Sequence, residues 1–102
     1  MAQSQKDLQN KLEELLGSKN VYYQPPETIK MNYPAIRYVK SNFSTRYANN
    51  HIYSKMTRYE IIVIAKKPDD PVIDKLMELP YCSYDRHYIS DNLHHDTLTL
   101  YF

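Results

Sequence analysis

Apolar residues recur along this chain at two different periods, and the changes of period mark its elements. Leu8, Leu12, Leu15 and Leu16 fall at helical spacing, with Lys6, Gln9, Lys11 and Glu13 on the opposite face. That pattern predicts an amphipathic helix over residues 3–16. Ser4 suits its N-cap, with Asp7 three residues on, and Gly17, the only glycine, suits a left-handed C-cap. Residues 20–24 predict a short strand that Pro25-Pro26 stops, and residues 26–33 an extended connection. Residues 35–40 predict a second strand, with Ala35, Arg37 and Val39 on one face and Ile36, Tyr38 and Lys40 on the other. Residues 41–50 are polar and predict a loop or irregular strand, with Asn49-Asn50 as a turn signal.

The clearest strand signal covers residues 53–66. Its second half, Ile61-Ile62-Val63-Ile64-Ala65, is apolar at every position, which predicts a central strand covered on both sides. A helix start follows at residues 67–71, with Asp70 as N-cap and Pro71 as first helical residue, where its missing N–H does no harm. Val72, Ile73, Leu76 and Met77 form the expected buried stripe, Leu79 lies at the end, and Pro80 stops the helix. The core should place Leu8, Leu12 and Leu15 of one helix and Ile73, Leu76 and Met77 of the other against residues 61–65.

Residues 81–89 and 94–102 then predict a hairpin around Ser90-Asp91-Asn92-Leu93. A two-residue Asp91-Asn92 loop puts Tyr84 and Tyr88 on the face of Thr99 and His95. A three-residue loop sets them opposite Leu100 and Asp96, with Arg86 beside Leu98. The second register mixes better with the apolar positions Leu98 and Leu100, and is the one expected. The order α-β-β-β-α-β-β predicts the α+β class: a small mixed or antiparallel sheet flanked by two helices, as a single domain over residues 1–102.

Composition narrows the function. Lys and Arg number 13 against 12 Asp and Glu, a net charge of +1, which supplies no footprint for duplex nucleic acid and no case for a membrane surface. With one cysteine, Cys82, no internal disulfide can form, which fits a reducing compartment. The polar start MAQSQKDLQNK lacks the apolar stretch of a signal peptide, and no apolar run is long enough to span a bilayer. A soluble, cytosolic protein is expected. One glycine leaves no material for a phosphate-cradling loop. Eleven tyrosines and no tryptophan suit surfaces that are half wet and half contact.

Candidate chemistry is sparse. His87, His94 and Asp96 could be read as zinc ligands, since zinc accepts imidazole and carboxylate oxygen. Neighbouring strand residues point to opposite faces, so His94 and His95 cannot easily share an ion, and polar strand residues explain the cluster as well. No structural or catalytic metal and no cofactor is expected. Cys82 with His87 or His95 could form a thiol nucleophile and base, but a lone cysteine at a strand start is more often core filler. Arg37, Lys40, Arg46, Lys55 and Arg58 make a basic stretch interleaved with tyrosines, which keeps a small nucleic-acid-binding module as an alternative.

Three segments carry a family resemblance: NVYYQPPETIKMNYPAIRY, RYANNHIYSKMTRYEIIVI and DDPVIDKLMELPYCSYDRHYISDNLHHDTLTLYF. Over residues 20–102 the chain resembles the tail terminator (tail completion) proteins of long-tailed bacteriophages. The run PYCSYDRHYISDNLHHDTLTLYF is the most specific part, because strand periodicity does not force its order. The resemblance implies a homo-hexameric ring without catalytic residues. Such a ring caps the tail tube, ends its growth and docks the head-side connector, with DNA only passing through its lumen. The implied partners are further copies, tail tube protein and the connector or stopper; the implied location is the virion neck, after assembly in the host cytoplasm. A head-closure or stopper protein is the rival neck role. The expected tube or connector contacts are Arg46, Tyr47 and His51 with Tyr53 beside them. The expected subunit contacts are Tyr84, Arg86, Tyr88 and Tyr101 of the terminal hairpin, whose edge strand could pair or pack against a neighbour.

Overall fold

A computed structural model describes residues 5–25, 30–48 and 51–102; the side chains of residues 42–48 and 51–56 are outside that description. The elements are α1 (Gln5–Leu16), β1 (Val21–Tyr23), β2 (Ala35–Ala48), β3 (His51–Ala65), α2 (Pro71–Met77), β4 (Cys82–Ser90) and β5 (Leu93–Tyr101). The order and the α+β class are those the periodicity predicts. The expected helix start at residue 3, the Ser4 cap and the Asn49-Asn50 turn lie outside the described residues. Gly17 ends α1 at φ +80°, and its N–H reaches the Glu13 carbonyl at 2.9 Å. At α2, the Asp70 side chain accepts from the Val72 N–H at 3.0 Å, just ahead of Pro71.

The five strands form one mixed sheet in the order β1-β2-β3-β5-β4. Only β1 and β2 run parallel. β3 is central, as its apolar run requires, but it is not covered by helices on both sides. Leu8 and Leu12 of α1 and Val72 and Leu76 of α2 join a single core with Ile36, Tyr38, Tyr59, Ile61, Val63, Leu98 and Leu100. These strand residues alternate, so both helices lie on one face. Among the described residues no helix covers the opposite face. There Ile62 is half-buried, and Ile64 is shielded by its sheet neighbours Ala35 and His95. A run of five apolar residues shows that both faces avoid water; it does not say whether a helix or neighbouring strand side chains provide the cover.

Met77 is a second correction. It is 47 % exposed, whereas Val72 and Leu76 of the same expected stripe are buried. Val72 and Leu76 are four residues apart and share a helix face, and position 77 lies a further ~100° round.

Of the two expectations for the polar residues, loop or irregular strand, the strand holds over residues 41–48. They continue β2 and pair with the first half of β3, from Asn42 opposite Arg58 to Ala48 opposite His51. A register shift between Lys40 and Asn42 marks where this pair leaves the sheet, and there the Ser41 hydroxyl donates to the Arg58 carbonyl at 3.1 Å. β5 stops at the same level, with Phe102 and Thr57 exchanging both backbone hydrogen bonds, at 3.0 and 3.3 Å. Beyond that point β2 and β3 continue alone as a two-stranded ribbon, and the molecule measures 49 × 23 × 22 Å. The strand expected from residue 53 covers most of the β3 half of this ribbon, whereas the β2 half is polar and hydrophobic periodicity does not single it out.

Candidate interaction surfaces

The terminal hairpin turns through Asp91-Asn92, with Ser90 opposite Leu93. Both turn residues have positive φ, 53° and 62°, the pattern of a type I′ turn, whose twist matches the flanking strands. The loop therefore has two residues, and the expected three-residue register is wrong. Tyr88 pairs with His95 and Arg86 with Thr97, and then a bulge at Asp85 shifts the register so that Tyr84 faces Leu98. The bulge reverses the side-chain parity along β4. Tyr84 thus lies on the helix-bearing face and Tyr88 on the bare face, whereas either simple register puts them on one face.

Side chains lock this bulge. Thr97 Oγ1 accepts from the Arg86 N–H at 3.2 Å and donates to the Arg86 carbonyl at 3.3 Å. Thr99 Oγ1 donates to Asp85 Oδ2 at 2.7 Å. On the bare face the Tyr88 ring stacks on His95 at 4.8 Å, and the Arg86 guanidinium sits 5.0 Å from the Tyr88 centroid. His95 Nδ1 lies 3.0 Å from the Leu93 carbonyl, so it carries the proton.

On the helix-bearing face, the Tyr84 hydroxyl donates to the Asp96 carboxylate at 2.5 Å. That bond, then burial and the nearby carboxylate charges, push the Tyr84 phenol up to about 12 from its ordinary 10.0. Tyr84 should therefore stay protonated when other surface tyrosines ionise. A raised phenol pKa means the folded chain holds the proton more tightly. Its stabilising effect is thus intact below pH 10.0 and lost as the pH climbs towards about 12. Tyrosine ring carbons followed by NMR through an alkaline titration test this, with Asp96→Asn expected to return Tyr84 towards the ordinary value. An unchanged Tyr84 midpoint in that variant would disprove the assignment.

The three candidate metal ligands share this face. His87 Nε2 and His94 Nδ1 are 3.1 Å apart and their rings stack at 5.3 Å. Asp96 is committed to Tyr84, and no group of three His, Cys, Asp or Glu able to hold a metal occurs among the described residues. Cys82 pairs with Leu100 at the far end of β4 from His87 and from the Tyr88–His95 pair. Burial first, then Asp85, pushes its thiol pKa up, the opposite of activation.

Three tyrosines serve the core and its edge. Tyr23, Tyr38 and Tyr59 form an aromatic chain with centroid spacings of 4.8 and 5.9 Å, Tyr38 and Tyr59 being fully buried. The Tyr38 hydroxyl donates to Gln9 Oε1 at 2.5 Å and accepts from Gln5 Nε2 at 2.6 Å. Gln9 Nε2 in turn donates to the Val21 carbonyl at 3.0 Å, so α1 occupies that acceptor of the short edge strand β1.

Of the expected contact residues, Arg46 and Tyr47 stand on the β2 half of the ribbon and His51 and Tyr53 on the β3 half; their side chains lie outside the described residues. Tyr84, Arg86 and Tyr88 lie on β4, which is the sheet edge expected. Tyr101 is half-buried at the end of β5 and lines a groove of about 510 Å³ with Leu79, Pro80, Tyr81 and Phe102, rimmed by α1. The sequence reading missed two exposed apolar residues, Ile89 at 63 % and Tyr81 at 60 %. Alternation alone could have flagged Ile89 as an apolar residue on a polar edge. No helix among the described residues is long and apolar enough to cross a membrane. Compared with known proteins, the chain matches no protein-family model and no curated protein sequence.

Proposed function

We propose that this chain is a structural protein of a tailed-bacteriophage neck, a tail terminator whose copies form a ring on the end of the tail tube. The observation that carries the reading is the uneven clothing of the sheet. Both helices cover one face, and the other face, the β4 edge and the projecting β2–β3 ribbon are left for contact. The ribbon has a distinct charge as well. Between residues 40 and 59 the sequence carries Lys40, Arg46, Lys55 and Arg58 and no acidic residue, in a chain of net charge +1. The family resemblance over residues 20–102 agrees with a protein that works by contact.

In this reading Arg46, Tyr47, His51 and Tyr53 bring the ribbon to tube or connector, and the terminal hairpin meets the next copy. A heterologous contact repeated by rotation closes into a ring. A small interface can be too weak to close that ring in free solution, so the finished tube can act as its template. The basic ribbon also favours one second reading, a nucleic-acid-binding module; salt-sensitive binding of single-stranded DNA by the free chain would support it.

A phage lacking this protein should make filled heads without tails, together with tubes of uncontrolled length. Normal tails on the mutant would rule out the terminator role. Uniform tails that fail to join heads would favour the head-closure or stopper role instead.

A further inference from the structure

We propose that His87 and His94 form a chelating site for a late first-row divalent metal ion, copper(II) above all, near the turn of the terminal hairpin. The inference stands apart from the ring reading and does not rest on it. His87 lies opposite Asp96 and His94 opposite Ile89, so the two histidines are diagonal neighbours on the face that carries Tyr84. Diagonal neighbours stand roughly 7–8 Å apart across the strands, within reach of long side chains only. Here both rings lean inward: His87 Nε2 is 3.1 Å from His94 Nδ1, with the ring planes 23° apart. Two metal–imidazole bonds of about 2.0–2.1 Å, meeting at roughly 90–110°, hold their nitrogens about 2.8–3.4 Å apart. The observed spacing falls in that range, so an ion can take the place of the shared proton with only small ring rotations. A neutral imidazole carries its one proton on either nitrogen. The donor ring therefore frees its lone pair by changing tautomer, and the pair as a whole loses no proton.

The pairing contributes little to the fold. His87 is exposed and His94 half-buried, so water competes for the hydrogen bond between them. The hairpin is held instead by the Asp91-Asn92 turn and by the clamps of Thr97 on Arg86 and Thr99 on Asp85. These fix the strands, so the two rings are already brought together before an ion arrives, which cuts the ordering cost of binding. The site differs from a three-ligand zinc centre. Asp96 is buried and its carboxylate accepts from Tyr84, so it is not free to complete a tetrahedral set. His95 belongs to the opposite face, where it stacks on Tyr88 and donates to the Leu93 carbonyl. Two adjacent imidazole nitrogens remain, with the other positions open to water. Imidazole suits copper, nickel and zinc, and copper(II) binds a given nitrogen set most tightly of the divalent series. With two protein ligands the ion is exchangeable, so the site is neither a structural nor a catalytic centre.

The test is calorimetric titration of the untagged Cys82→Ser chain with copper(II), together with electron paramagnetic resonance of the bound copper. The substitution removes the single thiol, a soft ligand that would compete for copper. One copper per chain is expected, with hyperfine splitting from two imidazole nitrogens. His87→Ala and His94→Ala should each weaken binding by about tenfold or more, since either leaves a single donor where a chelate stood. His51→Ala and His95→Ala should leave the affinity unchanged, and circular dichroism should show the same fold in all four variants. The nitrogen count reads the site with every histidine in place, so it stands even if a variant misfolds. A spectrum with one nitrogen, equal weakening by His95→Ala, or binding indifferent to His87→Ala and His94→Ala would mean an adventitious ion only and would overturn the proposal.

Discussion

Leu76→Ala should remove most of this domain's stability, while Ile62→Ala should remove little. Leu76 is fully buried where α2 meets the core, against the strand face that carries Ile61 and Leu98. Truncating a buried leucine loses its transfer energy and leaves a cavity, together about 2–5 kcal/mol. A small domain has only about 5–15 kcal/mol in hand. Ile62 sits one residue from the fully buried Ile61, yet points to the face without helices and is half-buried. Its truncation leaves a surface dent that water fills, at about 1 kcal/mol. Urea unfolding of the two variants measures the contrast directly. Equal losses would mean that the bare face is as well packed as the helical one, and the placement of both helices on one face would be wrong.

Gln9→Ala should be the most damaging change on the polar side of α1. Gln9 accepts the Tyr38 hydroxyl proton and donates to both the Val21 carbonyl and Glu13 Oε2. Tyr38 is fully buried, so its hydroxyl has no water to turn to. Leaving a buried donor without an acceptor costs about 1–3 kcal/mol. Gln5→Ala takes away only a donor to an oxygen that keeps its bond to Gln9, and should cost less. Tyr38→Phe in the Gln9→Ala background should recover part of the loss, because the stranded hydroxyl is then gone. If the double variant is no more stable than Gln9→Ala, the hydroxyl is not what the glutamine serves.

These two cases show where the sequence ends and the packed structure begins. Helical spacing in α1, the Asp70-Pro71 start of α2, the left-handed Gly17 and the unbroken apolar run of β3 are local signals, each readable within a few residues. They were enough for the element order and for the α+β class. The crowding of basic residues around β2 and β3 is likewise legible in the sequence. The central place of β3 and the β4–β5 hairpin were legible too; what only the tertiary structure decided was which face the helices cover and the register in which the strands meet. The β2 half of the ribbon, residues 41–48, stayed undecided between loop and irregular strand because its polar sequence leaves no periodic trace. The face of Tyr84 escaped because the Asp85 bulge, held by Thr97 and Thr99 of the neighbouring strand, reverses parity halfway along β4. The division of the tyrosines into a buried chain at Tyr38 and Tyr59 and a surface set at Tyr81, Tyr84 and Tyr88 escaped for a like reason. Tyrosine is amphipathic and fits either place, so its neighbours across the sheet and under the helix decide which, and those neighbours are far away in sequence.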